Sequence, residues 1–265
     1  RAADARHLRM LADVLRFFRH ARAFLDSGGG HDVTLGAFID AGRYGSGLAR
    51  HFLLPLTGAV WSASFAEMRE APARTMLHFM DNHGMLSATD NPQWFTVRGG
   101  SHAYVKAIAE RLGASARAGV PATRIARHED GVDVTTGDGQ TRRYDKVVLA
   151  THADQALALL ADPSAEESRL LGSFRYSHNR TVLHTDETAL PVARGAWASW
   201  NSDIEDCTAA GAPVSVTYHL NRLQSLPGEV QFCVSLNRAR PIGGTVLASM
   251  DYTHPILDRA EVAAQ

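Results

Sequence analysis

Apolar residues recur at helical spacing through the first ninety positions. Leu8, Leu11, Leu15, Phe18 and Leu25 predict an amphipathic helix over residues 2–26, with Arg9, Arg16, Arg19 and Arg22 mostly off its stripe. Gly28-Gly29-Gly30 ends it. "DVTLGAFIDAG" reads as a short helix capped by Thr34 or Asp32 and stopped at Gly42. "GSGLARHFLLPLTGAVW" is apolar nearly all round, which predicts a buried helix bent or ended near Pro55. Ser64 and Glu67 have capping-box spacing, and "PARTMLHFMDNHG" places Pro72 in a first turn and Gly84 at a stop.

The pattern then changes. In "TVRGGSHAYVKAI" the doublet Gly99-Gly100 precedes a helix with Ser101 as its expected N-cap and Tyr104, Val105, Ile108 and Leu112 on one face. A glycine pair at a helix start suits a phosphate, a close backbone contact or a plain tight turn. "GVDVTTGDGQTRRYDKVVLAT" predicts a strand, a turn at Gly-Asp-Gly and a second strand. "KVVLA" follows as a third strand without alternation, as in a parallel sheet buried on both faces. "ADQALALLA" is a helix. From about Phe174 the chain reads as strands: Val214, Val216 and Tyr218 alternate with polar residues, as do Phe232, Val234 and Leu236. An antiparallel sheet with at least one buried face is expected.

The 265 residues, 45% hydrophobic and with a formal charge of -1, fit one large or two smaller globular domains. Neutral balance without a basic stripe argues against a nucleic-acid partner, and no apolar run reaches the length of a membrane span. Cys207 and Cys233 are too few for a zinc site and read as two free thiols of a reducing compartment, hence a cytoplasmic protein. The chain starts without Met and reads as part of a longer protein. His78 and His83 lie off the shared-face spacing, and His184 with Asp186 share only a strand face; no metal site is expected. No G-x-S-x-G marks a serine nucleophile.

The stretch from Val97 to Leu160, with its glycine doublet, helix, strand after Pro121, "GVDVTTGDG" and an apolar run ending in Ala150, resembles the flavin-dependent amine oxidase superfamily. That group includes monoamine oxidases, protoporphyrinogen oxidase and phytoene desaturases. "HFLLPLTGAVWSASFAEM", "FRYSHNRTVLHTD", "WASWN" and "VTYHLNRLQ" are similar to a bacterial branch of FAD-dependent oxidoreductases within it. The resemblance implies a two-lobed α+β, α/β architecture: a partial FAD-binding lobe and a substrate lobe of helices and an antiparallel sheet. Residues 1–95 would be substrate-lobe helices, 96–160 a return into the FAD lobe, and 161–265 the substrate-lobe sheet. It implies FAD as cofactor, with Gly99, Gly100, Ala122, Ala150, Thr151 and His152 on the adenine side. Residues 45–50, "GSGLAR", offer Gly45-x-Gly47, but Arg50 stands where a third glycine belongs and a helix precedes it, so no phosphate loop is read there. Both ends of the FAD lobe, the nucleotide fingerprint and a C-terminal flavin motif, are expected to lie outside this chain.

Relatives place a lysine near the flavin on a strand corresponding to Arg180–Thr185, but Lys106 and Lys146 are the chain's two lysines. The resemblance therefore implies desaturation or another dehydrogenation of a hydrophobic small molecule more readily than amine oxidation. Trp197, Trp200, Asn201, Tyr218, Asn221 and Arg180 are candidates to line a substrate cavity, with sheet packing the competing account of the tryptophans. No catalytic residue is singled out, and oligomeric state is not readable. The alternative is a hydrophobic-ligand carrier or scaffold of the same architecture without redox activity.

Overall fold

A computed structural model describes residues 4–89, 92–204, 211 and 214–264; Cys207 and the first two residues of the predicted N-terminal helix lie outside these. The chain divides into two compact units, Arg1–Thr96 with Tyr176–Val262, and Val97–Arg175 with Ala263–Gln265.

The first unit opens with α1 (Ala5–Asp26), capped by Asp4, whose carboxylate accepts from Arg6 N–H. The face it buries keeps Phe18 and Leu25 of the predicted stripe and leaves out its leucines at 8, 11 and 15. Val14, Phe17, Phe18, Ala21 and Leu25 are buried, whereas Leu8, Leu11 and Leu15 are 53, 45 and 53% exposed. The aromatic pair decides the rotation. Phe17 meets Phe38 and Tyr44 edge-on at 6.0 and 6.2 Å, contacts that leucines on the other stripe would forgo.

Thr34 caps α2 (Leu35–Ala41) by accepting from Ala37 N–H. The buried segment begins as α3 (Ser46–Leu48), widens into a π-turn over Ala49–Leu53, and continues as α4 (Leu54–Trp61). Leu54 N–H reaches Ala49 O, and Pro55 has no N–H to donate, so the widening falls where the proline sits. Ser64 and Glu67 form the expected capping box at α5 (Phe65–Glu70), and α6 (Ala73–Asn82) follows Pro72. Met68, Met76, Leu77 and Met80 fill the centre of the core, which Val214 and Val216 of the sheet close.

The second unit holds α7 (His102–Leu112), a meander of β1 (Ala122–His128), β2 (Gly131–Thr136) and β3 (Thr141–Tyr144), then α8 (Ala153–Leu159) and α9 (Ala165–Leu171). Gly139, at φ +78°, and the Asp138 carboxylate, accepting from the Thr136 hydroxyl and Gln140 N–H, make the β2–β3 turn. Arg127 grips Glu167 through two nitrogens at 2.7 and 3.1 Å, tying β1 to α9. That guanidinium and the capping Ser164 hold the Glu167 carboxyl down at about 2. Ile125 and Ala156 are the buried apolar residues described in this unit.

Two expectations fail here. Ser101 is helical in backbone and makes no side-chain cap. Lys146–Ala150 is not a strand: it pairs with none of the described strands, and Val148 is 90% exposed. A strand buried on both faces needs neighbours on both edges, and the β1–β2–β3 sheet supplies none to it.

The chain returns to the first unit with β4 (Tyr176–His184), β5 (Trp200–Asp203), β6 (Ser215–His219), a short α10 (Leu220–Gln224), β7 (Cys233–Leu236) and β8 (Val246–Pro255). They form one antiparallel sheet in the order β5-β6-β7-β4-β8.

Candidate functional site

Alternation gives this sheet two unlike faces. Val216 and Tyr218 face the helical core, and Leu236 stands opposite Val216 on the same side. The other face is polar and buried. Register aligns Asn201, Thr217, Ser235, Val182 and Ser249 in one row across all five strands. The next row carries His219, Cys233 and His184. Asn201, Thr217, Ser235, His219 and His184 are all buried.

Buried polar groups have to be satisfied by neighbours, and most of these are. Thr217 Oγ1 and Ser235 Oγ lie 2.7 Å apart. Asp186 N–H donates to His184 Nδ1 at 3.0 Å, so the imidazole proton is on Nε2, which donates to Ser235 Oγ at 2.8 Å. Burial and then the nearby Arg238 charge lower the His184 pKa against the pull of Asp186. Burial opposes the Asp186 charge too, but Gly243 N–H, the Thr188 hydroxyl and N–H, and Arg238 outweigh it and hold that carboxyl below its ordinary value. Burial first, then the Asp186 and Glu187 charges, push the Cys233 thiol up to about 11, which leaves it un-ionised and inert.

Three groups on this face are under-bonded among the described residues: Ser215 Oγ, His219 Nδ1, and Nε and Nη1 of Arg238. Arg238 lines a cavity of about 420 Å³ with Arg180, Ser235 and Ser249. A larger groove of about 830 Å³, bordered by Arg6, Arg9 and Asp13 of α1 and by Gly45 and Gly47, lies elsewhere in the same unit.

The sequence-derived candidates divide. Arg180 lines the 420 Å³ cavity, Asn201 is spent holding Ala198 and Thr217 O, and Trp197 packs edge-on to His219 at 5.2 Å while donating to Pro191 O. Those three share the polar side. Trp200 and Tyr218 pair edge-on at 5.6 Å on the opposite face, where burial raises the Tyr218 pKa. Asn221 braces the β6–β7 connection through Val230 O and Phe232 N–H. Residue-type reasoning passed over Arg238, Ser235, Thr217 and His219. The available signal was in and just before β6, where Ser215, Thr217 and His219 alternate with Val214, Val216 and Tyr218 in a stretch too hydrophobic to be an outer wall.

In the other unit, Gly99 and Gly100 adopt φ of +83° and +78°, and Gly100 N–H closes the turn onto Val97 O at 2.9 Å. Ala122 starts β1, beside a register shift, and Ala150 is exposed. Thr151 Oγ1 donates to His152 O, and His152 leads into α8. A dinucleotide's pyrophosphate needs convergent, uncommitted N–H groups. Gly100 N–H is committed to Val97. Gly45 N–H donates at 2.9 Å to Oδ2 of buried Asp13, a carboxylate that would repel a phosphate. Neither glycine pair among the described residues fits the pyrophosphate.

A family model described as flavin containing amine oxidoreductase matches residues 12–247. Among solved structures, a CLA-producing fatty acid isomerase from P. acnes superposes with a TM-score of 0.61 at 16% identity, over 95% of this chain and 63% of its own. Cyclohexylamine oxidase from Brevibacterium oxydans gives 0.59 at 13% identity, over 96% and 66%. Putrescine oxidase bound to putrescine gives 0.57 at 11% identity, over 86% and 51%. The chain thus spans between about half and two thirds of the length of these proteins, and they share its fold. No curated protein matches it in sequence.

Proposed function

The chain belongs to the flavin-containing amine oxidoreductase family, whose cofactor is FAD, and from that premise we propose that it is part of an FAD-dependent oxidoreductase acting on a small hydrophobic molecule. The observation that carries the reading is the family match itself, which runs from α1 to β8 and so through both units. FAD supplies the hydride acceptor when bound. We assign residues 1–95 and 161–265 to the substrate side and 96–160 to the adenine side, where Gly99, Gly100, Ala122, Ala150, Thr151 and His152 border the cofactor. Arg180, Trp197 and Asn201 belong to the polar sheet face that positions substrate, with Trp200, Tyr218 and Asn221 supporting it.

The chain's own chemistry favours dehydrogenation over amine oxidation. Lys106 is exposed and faces Glu110 at 3.9 Å, Lys146 is exposed, and Arg180 and Thr181 occupy the β4 positions where the resemblance would place a lysine. Among the described residues no helix is long and apolar enough to cross a membrane. The buried Cys233 thiol suits a reducing compartment, and we place the protein in the cytoplasm.

The test is purification of the full-length parent, followed by anaerobic titration with amines, polyenes and acyl lipids. The expected result is a yellow protein whose flavin bleaches with a polyene or acyl substrate. A folded parent without flavin at any stage of purification overturns the proposal. The 265-residue chain alone should hold FAD weakly, for want of a phosphate cradle.

A further inference from the structure

The polar sheet face carries a guanidinium with too few partners. Asn237, in the left-handed region at φ 53°, turns the chain after β7. Its N–H donates to Arg180 O at 2.9 Å and its side-chain amide to Asn179 Oδ1 at 2.7 Å. That turn directs Arg238 inward, where its side chain is only 6% exposed. Nη1 stands 3.6 Å from Asp203 Oδ2, beyond hydrogen-bond reach, and Nη2 stands 3.5 Å from Thr188 O. Asp186 contributes its charge from nearby, while its oxygens accept from Gly243 N–H and from the Thr188 N–H and hydroxyl rather than from the guanidinium. A buried charge held so loosely is costly unless a further anion completes it.

The cavity that Arg238 lines has the chemistry to receive that anion. Arg180 and Arg240 also line it, with hydroxyls from Ser235 and Ser249, and among the described residues no carboxylate does. Asp251 stands opposite Arg180 in the β4–β8 register without reaching the lining. The remaining wall is aliphatic, from Val182, Ile242 and Val246 among others. A volume of about 420 Å³ lies within the usual range for small-molecule sites. We propose that this cavity binds the carboxylate of a small aliphatic acid, with Arg238 as its main anchor and the Val182 wall against its tail. The guanidinium fork matches a carboxylate in two parallel hydrogen bonds, and the aliphatic wall disfavours a bare, multiply charged anion.

The inference stands on these groups and not on the oxidoreductase reading. Binding by the flavin-free chain tests it alone, whereas the parent's flavin tests the other. The probe is octanoate, titrated calorimetrically near neutral pH into the 265-residue chain, with octylamine and inorganic phosphate as comparisons. Octanoate is expected to bind one per chain, octylamine not at all, and phosphate more weakly. R238M should lose about tenfold or more in octanoate affinity. Its unliganded thermal midpoint should hold or rise, because an under-bonded buried charge is gone. D203N, which removes the competing carboxylate, should tighten octanoate binding. The proposal is overturned by absence of octanoate binding, by equal binding to R238M, by phosphate binding as tightly as octanoate, or by unchanged or weaker octanoate binding in D203N.

Discussion

His184 shows how much a single side chain can settle when its partners fix its tautomer. Its Nδ1 accepts the Asp186 N–H, so protonation there would set two hydrogens against each other, and burial already disfavours the cation. The folded-state pKa therefore lies below the ordinary 6.5, and the unfolded chain binds the proton more readily. Stability from this residue is complete above the unfolded pKa and is lost as pH falls below it toward the folded value. For one proton the slope is at most about 1.4 kcal/mol per pH unit. The expected outcome is a thermal midpoint that falls between about pH 7 and pH 5 in the wild type and falls less in H184Q. Parallel slopes in the two proteins would remove His184 from the account. The sequence placed His184 and Asp186 on a strand face and stopped there. What joins them is a bend after β4 that turns a backbone N–H back onto the ring, and no spacing rule encodes a bend of that kind.

At the scale of elements, helical periodicity located the helices far better than it chose their buried faces. In α1 two apolar stripes compete, sharing Phe18 and Leu25, and the Leu8, Leu11 and Leu15 part of the predicted one is exposed. The winning stripe contains Phe17, whose ring is wholly buried among other aromatic rings. Aromatic partners lie on other elements, so their preference is invisible within one helix. In α7 the predicted stripe is real as a pattern, yet Tyr104, Val105, Ile108 and Leu112 are each half exposed. Substitution separates the two cases. F17A should destabilise the first unit by about 3–5 kcal/mol, whereas I108A should stay within about 0.5 kcal/mol of wild type. Urea unfolding followed by circular dichroism measures both. A large loss in I108A would show that the α7 stripe is buried in solution. Several late strands were legible to within a few residues, because Val216 and Tyr218 have one face to bury, whereas "GAWASWN" is a helical turn at Arg194–Ala196 that reaches the sheet only from Trp200. "KVVLA" misled for the converse reason: its composition reports the two-sided burial a parallel strand has once its neighbours are present, and β1–β3 do not provide them.

For the molecule as a whole, the two units differ in how much apolar surface each removes from water. The first gathers a continuous core from α1 through α6 and closes it with β6. The second, spanning Val97–Arg175, buries Ile125 and Ala156 and relies otherwise on exposed pairs such as Arg127 with Glu167. Exposed ion pairs contribute little against the conformational entropy of ordering a segment that long. The second unit should therefore open at a lower free energy than the first, as a separate cooperative piece. Native-state hydrogen exchange reads this directly. Amides of β1, β2 and β3 should exchange through a partial opening, while those of β4, β6 and β7 should exchange only with global unfolding. Added denaturant should accelerate the first group's exchange with a smaller slope, set by the surface of the second unit alone, and the second group's with the slope of the whole buried surface. If all six strands shared one exchange free energy and one denaturant slope, the chain would be a single cooperative unit, and the small second core would have to draw stability from the first.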